Sequence, residues 1–265
     1  MFETVKDMMH ARSKTLLLTL EHRLSRILVA WVLIAAAASA LRLALNPVGG
    51  IITPEGMLPY LLLIVAPFAS TLLALRWFAN GDLQPQPTTR LAVIGRWKSI
   101  DRREAQTDPL YGASGIMVSL LIGMMLNVPV RALEYLAAVP ALSGDVPLWL
   151  STLHTAMSFD VVVFSSLYMI AFVAALRRVP LFPRLLAAIW ICDIATQLFI
   201  AELLGGTAGL PPPVASALHS MLSGNVQKVL ISAALWLPYL LLSRRVNVTY
   251  RSRVPARAGL PDSLQ

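Results

Sequence analysis

The chain has 265 residues, of which 57% are hydrophobic and only 14% are charged, and this composition excludes an ordinary soluble globular domain. A mean hydropathy of +0.67 indicates an integral membrane protein. A formal net charge of +8 would suggest nucleic-acid binding in a soluble protein, but in a membrane protein Lys and Arg chiefly mark cytoplasmic loops. We therefore expect the lipid bilayer as the environment and no nucleic-acid partner.

The first 26 residues form a basic, partly amphipathic segment that is too long and too polar for the leader region of an ordinary signal peptide. Its cations are Lys6, Arg12, Lys14, Arg23 and Arg26. No small-residue cleavage site is evident after the first apolar run, so we predict that this run is retained as a membrane span.

Six apolar segments follow, each close to the roughly 20 residues that an α-helix needs to cross the hydrocarbon of a bilayer. They are Ile27–Leu45, Met57–Trp77, Ala113–Tyr135, Leu148–Leu176, Leu185–Leu204 and Ala217–Leu242. The sequence therefore predicts an all-α fold, namely a polytopic six-transmembrane-helix bundle made of three helical hairpins.

The connections between these segments alternate in charge, which predicts the orientation of the chain. Lys and Arg are concentrated between residues 76 and 110 and in the short turn 177–184, while the other three connections contain neither: 46–56, 136–147 and 205–216. Under the positive-inside rule both termini are then cytoplasmic. We divide the chain into a cytoplasmic N-terminal segment (1–26), a first hairpin (27–77), a cytoplasmic basic loop (78–110), a four-span region (111–245) and a cytoplasmic basic tail (246–265).

The basic loop has two possible arrangements. It starts with the extended linker Gln84-Pro85-Gln86-Pro87. Its part from Arg90 to Glu104, which contains Trp97, could form a basic amphipathic helix on the anionic inner leaflet. The alternative is a solvated loop that serves only to fix the topology.

Charged and amide side chains recur at similar depths in the outer half of the predicted spans. The depth of a residue can be estimated from the nearest cytoplasmic arginine, using a helical rise of about 1.5 Å per residue. By this estimate four charged residues lie at one level, each roughly 24 to 27 Å from the cytoplasmic arginine of its own span. They are Arg42, Asp160, Glu202 and Lys228. Asp193 lies nearer the midplane, with Gln197 one turn farther out. In the third span, one helical face carries Gly123, Asn127, Arg131 and Glu134.

The charges of this layer nearly cancel. Its cations are Arg42, Arg131 and Lys228, and its carboxylates are Glu134, Asp160, Asp193 and Glu202. An unpaired charge inside a bilayer is costly, so we expect mutual pairing, with the extra carboxyl, Asp193, protonated. We predict that Lys228 pairs with Asp160, Glu202 being the other candidate.

These considerations define a candidate site for a ligand or an ion-pair layer. Its ten residues are Lys228, Asp160, Asp193, Gln197, Glu202, Asn127, Arg131, Glu134, Arg42 and Asn225. One interpretation is an outward-facing pocket that binds or transports a small solute, a lipid headgroup or a proton. The other is a structural network of ion pairs that holds the helices in register.

The sequence contains no P-loop, no GxGxxG and no HExxH, and the single cysteine, Cys192, offers no Cys-based zinc site. We therefore predict a non-enzymatic protein with no catalytic residue, no metal site and no cofactor. Two other hypotheses stay open. One is an accessory or assembly subunit of a larger membrane complex, or a homo-oligomer. The other is a lipid-modifying enzyme in which Asp160 or Glu202 acts with His154 or His219 as acid and base.

Residues 235–250 read Leu-Trp-Leu-Pro-Tyr-Leu-Leu-Leu-Ser-Arg-Arg-Val-Asn-Val-Thr-Tyr. They resemble the closing signature of a bacterial inner-membrane family, domain of unknown function 2569: a Trp-x-Pro-Tyr helix end, a Ser-(Lys or Arg)-Arg-Val turn and a Thr-aromatic pair. The Arg-Arg-Val-Pro-Leu-Phe-Pro run at 177–183 is similar to that family's basic turn between spans. The resemblance covers roughly the third to sixth spans. It implies a bacterial inner-membrane location and no assigned chemistry.

Overall fold

The structure, a computed structural model, describes residues 2–45, 47–48, 54–89, 94–142 and 144–256. Within these residues the chain forms eight α-helices, a short 3-10 helix at Gly81–Leu83 and four short strands. The helices are α1 (Phe2–Leu45), α2 (Pro54–Trp77), α3 (Arg102–Thr107), α4 (Met117–Ala138), α5 (Leu148–Leu176), α6 (Phe182–Gly205), α7 (Pro212–Leu242) and α8 (Arg244–Arg251). The strands are β1 (Pro47–Val48), β2 (Trp97–Ser99), β3 (Ala141–Leu142) and β4 (Arg253–Pro255).

Six helices in the described part of the chain are long and apolar enough to cross a membrane: α1, α2, α4, α5, α6 and α7. Hydrocarbon offers no hydrogen-bond partner to the backbone, so a lipid-exposed apolar run must satisfy its own peptide groups, and an α-helix does so. The predicted all-α, polytopic, six-span bundle is confirmed.

Successive spans run in opposite directions, so the connections gather at two ends of the bundle. We call the end that holds the two Lys- and Arg-rich connections, 76–110 and 177–184, the basic end. α8 lies at this end, because the Tyr250 hydroxyl donates to the carbonyl oxygen of Ala175 at 2.8 Å. Ser13 of α1 lies there too, because the Gly115 amide donates to Ser13 Oγ at 2.9 Å. At the opposite end β1 pairs in parallel with β3. The part of α1 around Ser13 and the whole of α8 therefore lie at the same end.

The spans are buried to very different extents. α5 is central and packs against α2, α4 and α6, so every side chain from Ala171 to Leu176 is buried. α7 packs mainly against α6 and buries only four residues: Leu218, Leu222, Val229 and Leu240. α7 is therefore a peripheral helix with most of its surface toward the bilayer.

The helix that contains the first span begins earlier in the chain than the predicted span. We expected it to start at Ile27, after a separate segment 1–26, but α1 is one continuous helix from Phe2. Leu20, Leu24 and Leu28 are buried in the core. They are four residues apart and so lie on one face of the helix, although charged residues separate them in the sequence. Burial of this apolar face packs the second half of the basic segment against the bundle.

The region predicted as a basic tail from residue 246 includes most of α8. In α8 all six residues from Arg245 to Tyr250 are buried. Arg245 Nη1 donates to the Leu110 carbonyl oxygen at 3.0 Å and to Ser114 Oγ at 2.7 Å. α8 thus fills the basic end beneath α5 and the loop before α4. Residues 257–265 of the predicted tail lie outside the described residues.

In its described part the basic loop does not form the amphipathic helix that was one of its two possible arrangements. Trp97–Ser99 is instead strand β2, which pairs antiparallel with β4, and within the described part of the range 90–104 only residues 102–104, the start of α3, are helical. Residues 90–93 lie outside the described residues. The backbone hydrogen-bond partners of β2, an exposed three-residue strand, lie in β4, some 155 residues later in the chain. Such a distant pairing cannot be predicted from the local sequence.

Gly81 lies where the basic loop crosses the turn between α5 and α6. A Cβ on Gly81 would come within 2.6 Å of the Arg177 carbonyl oxygen and 2.7 Å of Val179 Cγ2. We expect Gly81→Ala to lower stability by about 1 to 3 kcal/mol because the backbone of that turn must move. The readout is the apparent melting temperature of the purified protein in detergent.

The matched control is Gly224→Ala, because a Cβ at Gly224 meets nothing within 4 Å. Alanine favours a helix over glycine, so this variant should melt at the same or a slightly higher temperature. Equal melting temperatures for Gly81→Ala and the wild-type protein would contradict the close approach of the loop to the turn.

Candidate functional site

A buried cluster of three charged residues joins α4, α5 and α6. Arg131 Nη1 donates to Asp160 Oδ2 at 2.9 Å, and Arg131 Nη2 donates to Asp193 Oδ2 at 2.6 Å. The side chain of Arg131 is 11% exposed, and those of the two aspartates are 3% and 0% exposed. The Phe164 ring lies 5.2 Å from Arg131 Cζ. We call Arg131, Asp160 and Asp193 the buried triad.

Neutral side chains also donate hydrogen bonds to the two aspartates. Tyr168 donates its hydroxyl to Asp193 Oδ2 at 3.1 Å, and Gln197 Nε2 donates to Asp160 Oδ1 at 2.7 Å. Asp193 Oδ1 is buried and has no hydrogen-bond partner among the described residues. With both aspartates ionised the buried triad carries a formal charge of −1, so one bound proton would neutralise it. That Asp193 holds this proton stays a prediction.

The network continues from Gln197 to α7 and back to α4. Asn225 Nδ2 donates to Gln197 Oε1 at 3.4 Å, and Lys228 Nζ donates to Asn225 Oδ1 at 3.4 Å. Lys228 also forms an ion pair with Glu134. The side chains of Lys228 and Glu134 are 58% and 39% exposed, in contrast to the buried triad. The network therefore has a closed interior part and an open part.

The open part lines a crevice between α4 and α7. α4 packs chiefly against α5 and α1, while α7 packs chiefly against α6, and a cavity of about 230 Å³ remains between α4 and α7. Its lining residues are Gly123, Leu126, Asn127, Val130, Arg131, Glu134, Tyr168, Asn225, Lys228, Val229 and Ser232. One wall is thus the α4 face that the sequence identified, and the other is the polar stretch of α7.

Of the ten candidate residues, the structure brings eight together in the network or along the crevice. They are Asn127, Arg131, Glu134, Asp160, Asp193, Gln197, Asn225 and Lys228. The predicted pairing of Lys228 with Asp160 is wrong, because Lys228 pairs with Glu134 and Asp160 with Arg131. The depth estimate gives the height of a residue along its span but not the direction in which its side chain points.

Two candidate residues lie elsewhere. Arg42 donates from Nε and Nη2 to the Val139 carbonyl oxygen at 3.2 and 3.0 Å. Val139 is the C-cap of α4, so Arg42 satisfies a terminal carbonyl and complements the negative end of the helix dipole. Glu202, the other predicted partner of Lys228, is exposed on α6, and its carboxylate makes no hydrogen bond or ion pair within the described part of the chain.

Tyr168 belongs to the network but was not among the predicted site residues. Asp160, Phe164 and Tyr168 are four residues apart on α5, so all three project from one face of the helix toward Arg131. A search of α5 for polar and aromatic residues in register with Asp160 would have found Tyr168.

The histidines do not meet the carboxylates proposed for them. His154 is buried and lies 3.5 Å from the Tyr135 hydroxyl, which also contacts Ser158 Oγ at 2.7 Å. His219 is exposed on α7. The two carboxylate oxygens of Asp160 contact Arg131 and Gln197. The acid–base pair of the enzyme hypothesis is thus not assembled from Asp160 and His154.

No protein-family model matches the sequence, and no curated protein or solved structure shows significant similarity to the chain. The class of the protein therefore follows from its own fold: it is an integral, multi-pass membrane protein. Chemically, the site offers an exposed ammonium and carboxylate in a polar crevice, backed by a buried arginine between two aspartates. The family resemblance of residues 235–250 stays a prediction.

Proposed function

We propose that the protein is a non-enzymatic binding or transport protein of the bacterial inner membrane, with both termini in the cytoplasm. Its crevice takes a small zwitterionic solute or lipid headgroup from the outer side of the bilayer. The alternation of basic and uncharged connections supports this orientation. The resemblance to domain of unknown function 2569 supports the location, and we propose membership of that family on the same residues.

The observation that carries the proposal is the exposed Lys228–Glu134 pair at the crevice. A ligand with a single charge would replace one partner of the pair and leave the other without a counter-ion, which disfavours that ligand. A zwitterion avoids this cost because its anionic group can take Lys228 while its cationic group takes Glu134. Charge balance therefore favours a ligand that carries both signs.

The buried triad gives the crevice a fixed wall. Arg131 lines the crevice, but its guanidinium is already bound to two carboxylates, so it holds α4, α5 and α6 together. In the described part of the chain, the polar contacts of α7 with that unit at this level are one 3.4 Å hydrogen bond from Asn225 to Gln197 and the Lys228–Glu134 ion pair. A ligand that takes the place of the Lys228–Glu134 ion pair therefore contacts α7, the least constrained helix around the crevice.

Access of water to the crevice tests the proposal. We expect Ser232→Cys, made in a Cys192→Ser protein, to react with a membrane-impermeant anionic methanethiosulfonate added from the outer side. Only the thiolate reacts, and it forms in water rather than in hydrocarbon, so Ser232→Cys should react at least about tenfold faster than Ile231→Cys. Ile231 is the matched control because it is one residue away in depth and 60% exposed on the surface of α7.

A ligand arm completes the experiment. Glycerophosphoethanolamine, a soluble zwitterionic headgroup, should slow the labelling of Ser232→Cys, and Lys228→Met should remove this protection while leaving the labelling itself. Lys228→Met should also leave protein levels unchanged, since an exposed ion pair contributes only about 0 to 1 kcal/mol. Equal labelling at positions 231 and 232, or protection that survives Lys228→Met, would refute the proposed function.

A further inference from the structure

A second cavity, of about 380 Å³, lies at the basic end and is distinct from the crevice. One side is formed by the linker 86–87 and by β2 and β4 with the residues next to them. The other side is formed by the first turns of α6 and the last turns of α7. The cavity therefore lies where the loops of the basic end meet the membrane-spanning helices.

Three arginines line this cavity: Arg184, Arg251 and Arg253. Among the described residues that line it there is no Asp or Glu. Arg251 Nη1 donates to the Leu240 carbonyl oxygen at 2.8 Å and to Asn247 Oδ1 at 3.1 Å, and both acceptors are neutral. Arg184 donates to Thr89 Oγ1 at 3.2 Å, which is also neutral. These contacts orient two of the guanidinium groups without neutralising their charge.

Arg251 lies close to two other positive charges, and this proximity affects its pKa. Burial, together with the positive charges of Arg253 and Arg184, lowers the pKa of Arg251 to about 10. Arg251 is therefore repelled by the positive charges of Arg253 and Arg184 in a partly desolvated space. An anion placed among them would relieve that repulsion and would accept several charge-assisted hydrogen bonds at once.

The remaining wall of the cavity is apolar and continues onto the outer surface of the bundle. Ile191 lines it about 14 Å along α6 from the start of that helix. Ile191 is 69% exposed and Leu237 is 38% exposed, so this wall opens toward the acyl chains of the bilayer. A ligand that fills the cavity would place a polar group at the arginines and an apolar group along α6 and α7.

We propose that this cavity binds the phosphate group of an anionic amphiphile. Guanidinium groups match the geometry of phosphate oxygens through paired hydrogen bonds, and three arginines line this cavity. The same phosphate chemistry is present in a phospholipid headgroup and in a free phosphate ester. The apolar wall favours the phospholipid, whose acyl chains would follow Ile191 and Leu237.

Titration of the purified full-length protein in detergent, followed by native mass spectrometry, tests this site. The probes are phosphatidylglycerol, phosphatidylcholine with the same acyl chains, and soluble glycerol 3-phosphate. We expect phosphatidylglycerol to bind at least about tenfold more tightly than phosphatidylcholine, and Arg184→Gln and Arg253→Gln each to weaken it at least about fivefold.

The matched control is Arg244→Gln, which removes the same charge at the same end of the bundle. Arg244 pairs with Asp108, is 53% exposed and does not line the cavity, so this variant should bind phosphatidylglycerol like the wild-type protein. Melting temperatures verify that each variant is folded, and Arg253→Gln, on a peripheral strand, is a second test if Arg184→Gln unfolds.

The outcomes separate the possible sources of the phosphate. Binding of phosphatidylglycerol that depends on Arg184 and Arg253 supports the site with a lipid ligand. Binding of glycerol 3-phosphate with the same dependence and no additional affinity for the lipid supports the site with a soluble ester. Equal affinity for the two lipids, or an equal loss in Arg244→Gln, would overturn the site. The labelling of Ser232→Cys is independent of all these results.

Discussion

Replacing Arg131 with Met is expected to lower the free energy of unfolding by about 3 to 5 kcal/mol. Arg131 is the cation between Asp160 and Asp193, and its removal leaves two carboxylates in a nearly dry interior. Methionine retains most of the side-chain volume, so the loss reports mainly on charge. The measurement is the apparent melting temperature and the yield of monodisperse protein in detergent.

Two further variants make this result specific. Adding Asp193→Asn to Arg131→Met removes one uncompensated carboxylate and should recover part of the lost stability. Arg42→Met removes hydrogen bonds to a single carbonyl oxygen and should cost only about 1 to 3 kcal/mol. A stability of Arg131→Met equal to that of the wild-type protein would mean that the buried triad does not hold α4, α5 and α6 together.

Tyr250→Ala is expected to be almost as damaging, with a loss of about 3 to 5 kcal/mol. Tyr250 is fully buried in α8, its ring centroid lies 5.1 Å from that of Phe182, and its hydroxyl donates to the Ala175 carbonyl oxygen at 2.8 Å. Alanine leaves a cavity at the contact between α8 and the turn after α5. Thermal unfolding in detergent measures the loss.

Tyr250→Phe separates the two contributions of this side chain. It keeps the ring and removes only the hydroxyl, so it should cost about 1 kcal/mol. The Ala175 carbonyl oxygen also accepts from backbone amides in the turn that follows α5, which limits the penalty. Similar losses for Tyr250→Ala and Tyr250→Phe would show that packing against Phe182 contributes little.

The six spans were predictable because a helix in hydrocarbon needs predominantly apolar side chains along its whole length. A run of apolar residues in the sequence therefore identifies a span directly. The ends were harder to predict. Leu20 and Leu24 belong to the core although charged residues separate them, and only a count at helical spacing reveals their common face. In α8, Val246, Val248 and Tyr250 alternate with polar residues as in a strand, yet they lie in a helix whose residues from Arg245 to Tyr250 are all buried.

The composition of the candidate site was more predictable than its pairings. Asn127, Arg131 and Glu134 share a face of α4 by spacing alone, and the structure places all three along the crevice. The partners depend on how each span is rotated and on which helices are neighbours, and that information is tertiary. Arg42 illustrates the limit: it has the predicted depth, but its nearest acceptor is a backbone carbonyl oxygen at the end of α4.

The position of α8 also constrains the order in which the protein can be completed during its synthesis. α8 follows all six spans in the chain, yet it contacts Gly112 and Ser114 before α4 and Ala175 at the end of α5. Until α8 has left the ribosome, these contacts cannot form, even after the hydrophobic helices have been inserted. The docking of α8 onto the segments before α4 and after α5 is therefore a late step in the folding of the described part of the chain, because it must wait until all six spans have been synthesised.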